Sequence, residues 1–260
     1  MRRIILFRFH KEPEICKNRL EIIKKLNPGI KIYAYFEEKE KYKPFEILNE
    51  YFEHVYFIEG KSSHWFWFNP DLAVRMWFKD FGKNLDFDVL HLIEWDLLLL
   101  EPLDKLYSNI PKDGIALTGL KPMKEIKDMW NWTSKEPHAT NWRKLLSFVK
   151  EKYNYNQEPY ACIGPGPHLP KAFLEKYIEI EVPELCHEEI RLPLFGQILG
   201  FKLYDTGFYG NKWYNPETQK RFNCMNKEIK IKIIKEELKN PNGVRVFHPF
   251  RKIFDLKLLK

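Results

Sequence analysis

Apolar residues fall into short blocks along the chain, and their spacing alternates between two kinds. Residues 4–9, 30–36, 55–58, 88–93 and 114–118 are compact runs rich in Ile, Leu, Val, Phe and Tyr, the pattern of buried strands. Between them the spacing is helical. Residues 13–26 carry apolar side chains at 15, 16, 20, 22, 23 and 26 and stop at Asn27-Pro28-Gly29. Residues 45–52 read as a short helix, and a longer one runs to about 81 with Asn69 as its cap and Pro70 at its first position. Another helix starts at Pro102. The stretch 121–158, rich in Trp and Lys, reads as a helical insertion or lid. A strand at 160–163 and helices at 170–177 and 188–199 follow. Such β-α alternation predicts an α/β fold: a mostly parallel, Rossmann-like sheet flanked by helices, with ligands beyond the carboxyl ends of the strands.

The longest aliphatic run is Leu97–Leu100, far short of the ~20 residues a bilayer span needs. The opening MRRIILFRFHKE reads as a first strand rather than a leader, which points to the cytoplasm. Cysteines at 16, 162, 186 and 224 share no metal-ligand spacing and read as reduced thiols. The chain lacks G-x-G-x-x-G after its first strand, G-x-x-x-x-G-K-[ST], H-E-x-x-H and G-x-S-x-G. Dinucleotide oxidoreductases, P-loop kinases, zincins and α/β-hydrolases therefore lose weight.

Two carboxylates, Glu94 and Asp96, end the fourth strand with one residue between them. Positions i and i+2 of an extended segment point the same way, so two hard oxygen donors face one point, as Mg²⁺ or Mn²⁺ requires. A second acidic pair, Glu188-Glu189, opens a helical pattern; it is either a base with its neighbour or simply acid favouring a helix dipole. Pro193 falls inside that pattern. The run Gly164-Pro165-Gly166-Pro167 is either a close-approach loop or a rigid turn. His248 follows a late apolar strand beside Arg251 and Lys252, as a structural imidazole or a ligand.

In this order the motifs resemble the GT-A nucleotide-sugar glycosyltransferases, whose fourth strand ends in D-x-D; here the motif is Glu94-Trp95-Asp96. The resemblance implies a hexosyltransferase-type enzyme. It would move a sugar from a nucleoside-diphosphate donor to a sugar or lipid-linked acceptor hydroxyl, with Mn²⁺ or Mg²⁺ as cofactor. It implies Glu94, Asp96 and His248 at the metal, and Glu189 as base with Glu188 beside it. Arg8, Phe9, Glu12, Arg75, Trp95, Arg251 and Lys252 would contact the donor, and Trp130, Trp132, Gly164 and Gly166 the acceptor. It also implies one catalytic domain over 1–260: a nucleotide half to 118, an acceptor half at 119–226 with its insertion at 121–158, and a basic segment at 227–260.

That last segment changes the charge picture. The chain carries +7 overall, and residues 227–260 hold ten basic against four acidic residues. Interleaved with Phe, Ile and Leu, they read as a docked element with a solvated Lys face, or as a contact for an anionic membrane at the inner face. Two other functions compete with sugar transfer. A nucleotidyltransferase of related fold would usually carry Gly in its first loop, where this chain has Arg8-Phe9-His10-Lys11-Glu12. A basic, aromatic nucleic-acid binder would spread its charge along a groove, so nucleic acid is not the expected partner.

Overall fold

The computed structural model describes residues 1–210 and 212–259; Lys260 of the basic segment lies outside them. The elements run β1 (Arg3–Arg8), α1 (Pro13–Leu26), β2 (Lys31–Phe36), β3 (His54–Phe57), α2 (Ser63–Phe68), α3 (Pro70–Asp80), β4 (Val89–Glu94), β5 (Leu98–Leu99), α4 (Leu103–Leu106), β6 (Ile115–Pro122), α5 (Asn131–Ser134), α6 (His138–Tyr153), β7 (Tyr160–Pro170), α7 (Lys171–Glu179), α8 (Glu188–Ile198), β8 (Leu203–Asp205), α9 (Pro216–Gln219), α10 (Ile231–Lys239) and β9 (Val246–Phe247). Residues 40–51 wind as 3-10 rather than α-helix, with Pro44 inside. Asn69 precedes α3 but its side chain donates back to the Trp65 carbonyl instead of capping.

Seven strands form one sheet in the order β3-β2-β1-β4-β7-β6-β8. Only β7 runs against its neighbours; β1, β2, β3 and β4 pair in parallel, as do β6 and β8. This is the mostly parallel, Rossmann-like α/β architecture the alternation predicts, flanked on both faces by helices. The Gly-Pro run is not a free turn but the middle of β7. Its pairing with β6 slips between Thr118↔Ile163 and Ala116↔His168, so Gly164–Pro167 bulge out of register. A proline costs no ladder hydrogen bond there. Pro193 leaves α8 continuous from Glu188.

Two apolar layers cover the sheet, and a third cluster sits below α1. In the third, Ile22 packs with Leu98, Leu100, Ile229, Ile234, Phe247, Phe250 and Phe254, so most of the basic segment's apolar residues are docked. Asn18 and Arg19, both buried, fasten it through the carbonyls of Phe254, Phe250 and Lys252. No helix among the described residues is long and apolar enough to cross a membrane.

In-register pairing of β4 with β7 sets His91 beside His168, both fully buried with ring centroids 5.0 Å apart. His91 Nε2 lies 2.9 Å from the Arg3 guanidinium, which also pairs with Asp104. Burial lowers both imidazole pKa values, that of His168 to about 4. The unfolded chain therefore takes up protons below ~6.5 that the fold refuses, and stability falls as pH drops from 6.5 toward 4. By pH 4.5 His168 alone accounts for about 2 kcal/mol. His168→Leu is expected to lose less of its pH 7 urea midpoint at pH 4.5 than the parent; an identical acid profile would refute this.

Candidate active site

Parallel pairing places Arg8 opposite Glu94 at the carboxyl ends of β1 and β4, and their side chains meet at 2.8 Å. Two residues on, Asp96 is buried. Its surroundings come from the far end of the chain because β5 pairs with β9, Leu98 opposite Phe247, and the Phe250 amide donates to the Asp96 carbonyl at 2.8 Å. That clamp brings His248 Nε2 to 3.5 Å and Arg251 Nε to 3.1 Å from the Asp96 carboxylate. One donor atom from each of Glu94, Asp96 and His248 lies within 4.8 Å of the others. His248 Nδ1 sits 2.8 Å from the Asn223 carbonyl, an arrangement that ties up that nitrogen and leaves Nε2 facing the carboxylates. Burial disfavours charge on Asp96, yet His248 and Arg251 hold its pKa below the usual carboxylate range. Burial would lower the His248 pKa, and the Asp96 carboxylate raises it instead. Two carboxylate oxygens and a fixed imidazole nitrogen fit Mn²⁺ or Mg²⁺, with nitrogen favouring Mn²⁺.

Across the same cleft stands the second acidic pair. His187 caps α8, its Nδ1 accepting from the Glu189 amide at 3.4 Å. Glu189 accepts from the Gly164 amide at 3.0 Å and from Trp132 Nε1 at 2.9 Å. Burial raises its pKa to about 7, against the pull of those two hydrogen bonds and with help from Glu94. Glu188 is buried, Oε2 has no hydrogen-bond partner among the described residues, and burial pushes its pKa well above the ordinary value. A Cβ on Gly164 would lie 2.7 Å from Glu188 Oε1, so glycine is what lets β7 approach the pair. A raised folded-state pKa stabilises below ~4.5 and loses that contribution as pH rises through it. Glu188→Gln is therefore expected to melt above the parent at pH 8, with the gap closing toward pH 5. A variant that melts lower at both pH values would refute the assignment.

A fully buried ion pair holds this wall in place. Arg191 Nε donates to Asp71 Oδ2 at 3.0 Å, and Tyr177 donates to the same oxygen at 2.8 Å. Arg191 also reaches the carbonyls of Leu185, Cys186 and Phe68. It thereby joins the turn before the acidic pair to the end of α2. From α2, Trp67 meets Trp132 and His187, and the rings of Trp132 and His187 stack at 4.8 Å and 9°.

The cleft between the two walls measures ≈ 760 Å³, within the range of small-molecule sites. Of the residues singled out in the sequence, Arg8, Glu94, Trp95, Asp96, Trp130, Trp132, Gly164, Glu188, Glu189, His248 and Arg251 line it. Trp130 is buried and Trp132 half-buried, so both also serve the core. The other expected residues lie elsewhere. Phe9 packs in the core against Phe36 and Phe45. Glu12 is an exposed residue ahead of α1. Arg75 is spent on the carbonyls of Ile178 and Ile180, joining α3 to α7. Lys252 is exposed and 3.6 Å from Glu228. Gly166 is buried beside Phe208 and Leu97. His10, Lys11, Trp67, His138, His187, Trp213 and Tyr214 line the cleft without having been singled out as site residues. Two local signals in the sequence point to some of them: the loop after β1, which holds His10 and Lys11, and the aromatic run 64–68, which holds Trp67.

No family model matches the chain, and no curated protein matches it. Among solved structures, a cytidylyltransferase from Leptospira borgpetersenii serovar Hardjo-bovis (strain JB197) is similar with a TM-score of 0.43 and 13% identity. The likeness covers 79% of this chain and 75% of that one. At that level it carries no argument about reaction or substrate.

Proposed function

We propose that this protein is a divalent-metal-dependent transferase that moves a glycosyl group from a nucleoside-diphosphate donor to an acceptor hydroxyl. What supports this is one juxtaposition: a Glu94–Asp96–His248 cluster on one wall of a cleft and, on the other, a buried carboxyl with a pKa of about 7. Glu94, Asp96 and His248 would hold the ion, which when bound offsets charge on a leaving diphosphate. Arg251 and Lys11, 6.0 and 5.4 Å from the centre of the Trp95 ring, add positive charge at that end. The Glu189 carboxylate takes the acceptor's proton as its oxygen bonds to the sugar carbon and the diphosphate departs with the electron pair of the broken C–O bond. Indole faces of Trp67 and Trp132 suit the C–H faces of a sugar ring.

Nucleotidyl transfer is the second reading, because the same carboxylates and cation would serve attack on a nucleoside triphosphate. The two differ in what leaves. The protein with Mn²⁺ is to be incubated with a panel of nucleotide sugars and, separately, with nucleoside triphosphates plus sugar phosphates. Release of nucleoside diphosphate from the first supports glycosyl transfer; pyrophosphate from the second alone replaces it with nucleotidyl transfer. Neither product in any combination would overturn both.

A further inference from the structure

Eight large apolar side chains stand exposed among the described residues. Three of them, Trp67, Tyr214 and Met225, line the cleft, and Met129 immediately precedes the cleft residue Trp130. Two more, Ile231 and Ile253, stand on the basic segment. The chain joins these two groups. The chain passes from Met225 and Asn226 at the cleft straight into Lys227, and from Arg251 at the cleft into Lys252 and Ile253. The 3.6 Å contact of Lys252 with Glu228 sets the two runs side by side. Between 227 and 257 seven lysines are exposed against two acids, Glu236 and Asp255; the Glu237 carboxylate turns inward to Arg221 and the Val244 amide.

Ile253 is the telling residue. Its neighbours Phe250 and Phe254 are buried, and their carbonyls are gripped by Arg19 and Asn18. The backbone is thus fixed on both sides while the side chain is held 64% exposed. An aliphatic tip presented by a rigid support among lysines is the arrangement that inserts between headgroups while ammonium groups reach the phosphates.

We infer that the cleft rim and the basic segment form a docking face for an anionic lipid bilayer, with Ile253 and Met225 entering the headgroup layer. This rests on the placement of surface residues and not on the reaction proposed above. Single-stranded nucleic acid would use the lysines and stack on aromatic rings, but the exposed apolar residues of the basic segment, Ile231 and Ile253, are aliphatic and give it nothing.

The test is co-sedimentation of the full chain with phosphatidylcholine vesicles and with vesicles containing 30% phosphatidylglycerol, without substrate, at low and high salt. Binding is expected only to the anionic vesicles and to be released by salt, since screening acts over ~8–10 Å. Removing a lysine is expected to cost about fivefold in partition, the equivalent of about 1 kcal/mol, so Lys232→Gln/Lys235→Gln together should cost about 25-fold. Ile253→Ser is expected to lower partition several-fold with no change in charge, while Ile47→Ser, at an exposed site elsewhere, leaves it unaltered. Equal binding to both vesicle types, no binding to the anionic ones, or equal effects of the two serine variants would overturn the inference. So would displacement from the vesicles by an oligonucleotide together with an inert Ile253→Ser. Because no turnover is read, failure here says nothing against the transferase, and an inactive protein would still be tested.

Discussion

An Asp96→Asn variant is expected to turn over at least about 10³-fold more slowly than the parent and to lose Mn²⁺-dependent thermal stabilisation. Several kcal/mol of charge stabilisation at a leaving diphosphate correspond to that factor. The amide keeps the shape and removes the charge on which the cluster with Glu94 and His248 depends. The variant is also expected to melt lower in EDTA. Asp96 is buried and faces Arg251 at 3.1 Å and His248 at 3.5 Å. A carboxylate with a depressed pKa contributes stability that is fully present above ~3.9 and lost only as pH falls through the folded value, so at pH 7 all of it is at stake. Breaking this partly exposed pair costs about 2–3 kcal/mol. Turnover, Mn²⁺ titration by thermal shift and the metal-free melt separate the two losses. Parental turnover of Asp96→Asn in EDTA would remove the metal from the account.

Glu189→Gln is expected to cut kcat by roughly 10²–10⁴, the worth of a general base, while leaving nucleotide binding in place. The pH profile distinguishes chemistry from packing. With the carboxyl near 7, parental kcat climbs from pH 6 to 8 and levels off above, whereas the residual rate of the Gln variant has no such step. Trp132→Phe removes a hydrogen bond that favours the ionised form, so its step should move to higher pH. If Glu188→Gln is the crippled variant, the base lies one residue earlier. If neither substitution matters, the pair is only a helix start.

Much of this site is legible in the sequence because its signals are local. Glu94 and Asp96 share a side of an extended segment, and Glu188-Glu189 sit ahead of a helical pattern, so short-range periodicity finds both. His248 was recognisable by type and position, but its 3.5 Å approach to Asp96 depends on the β5–β9 pairing, which no local pattern announces. The Gly164–Pro167 run misled for a physical reason: its composition is that of a turn, and only the bulge against β6 makes it strand. Arg75 shows the opposite failure. A cation in a helix of the nucleotide half looks available for phosphate, but two carbonyls at the end of α7 already occupy it.

The aromatic lining has a spectroscopic consequence. Trp67, Trp95, Trp130, Trp132 and Trp213 line the cleft, five of the eight tryptophans in the chain. Ultraviolet emission from the untagged protein is thus dominated by indoles that a ligand would touch or dry. Trp132, hydrogen-bonded to Glu189, further makes the ionisation of that carboxyl a change that indole emission reports. Binding, protonation and cation loading can then be followed as three changes in one fluorescence signal, with no label and no turnover required.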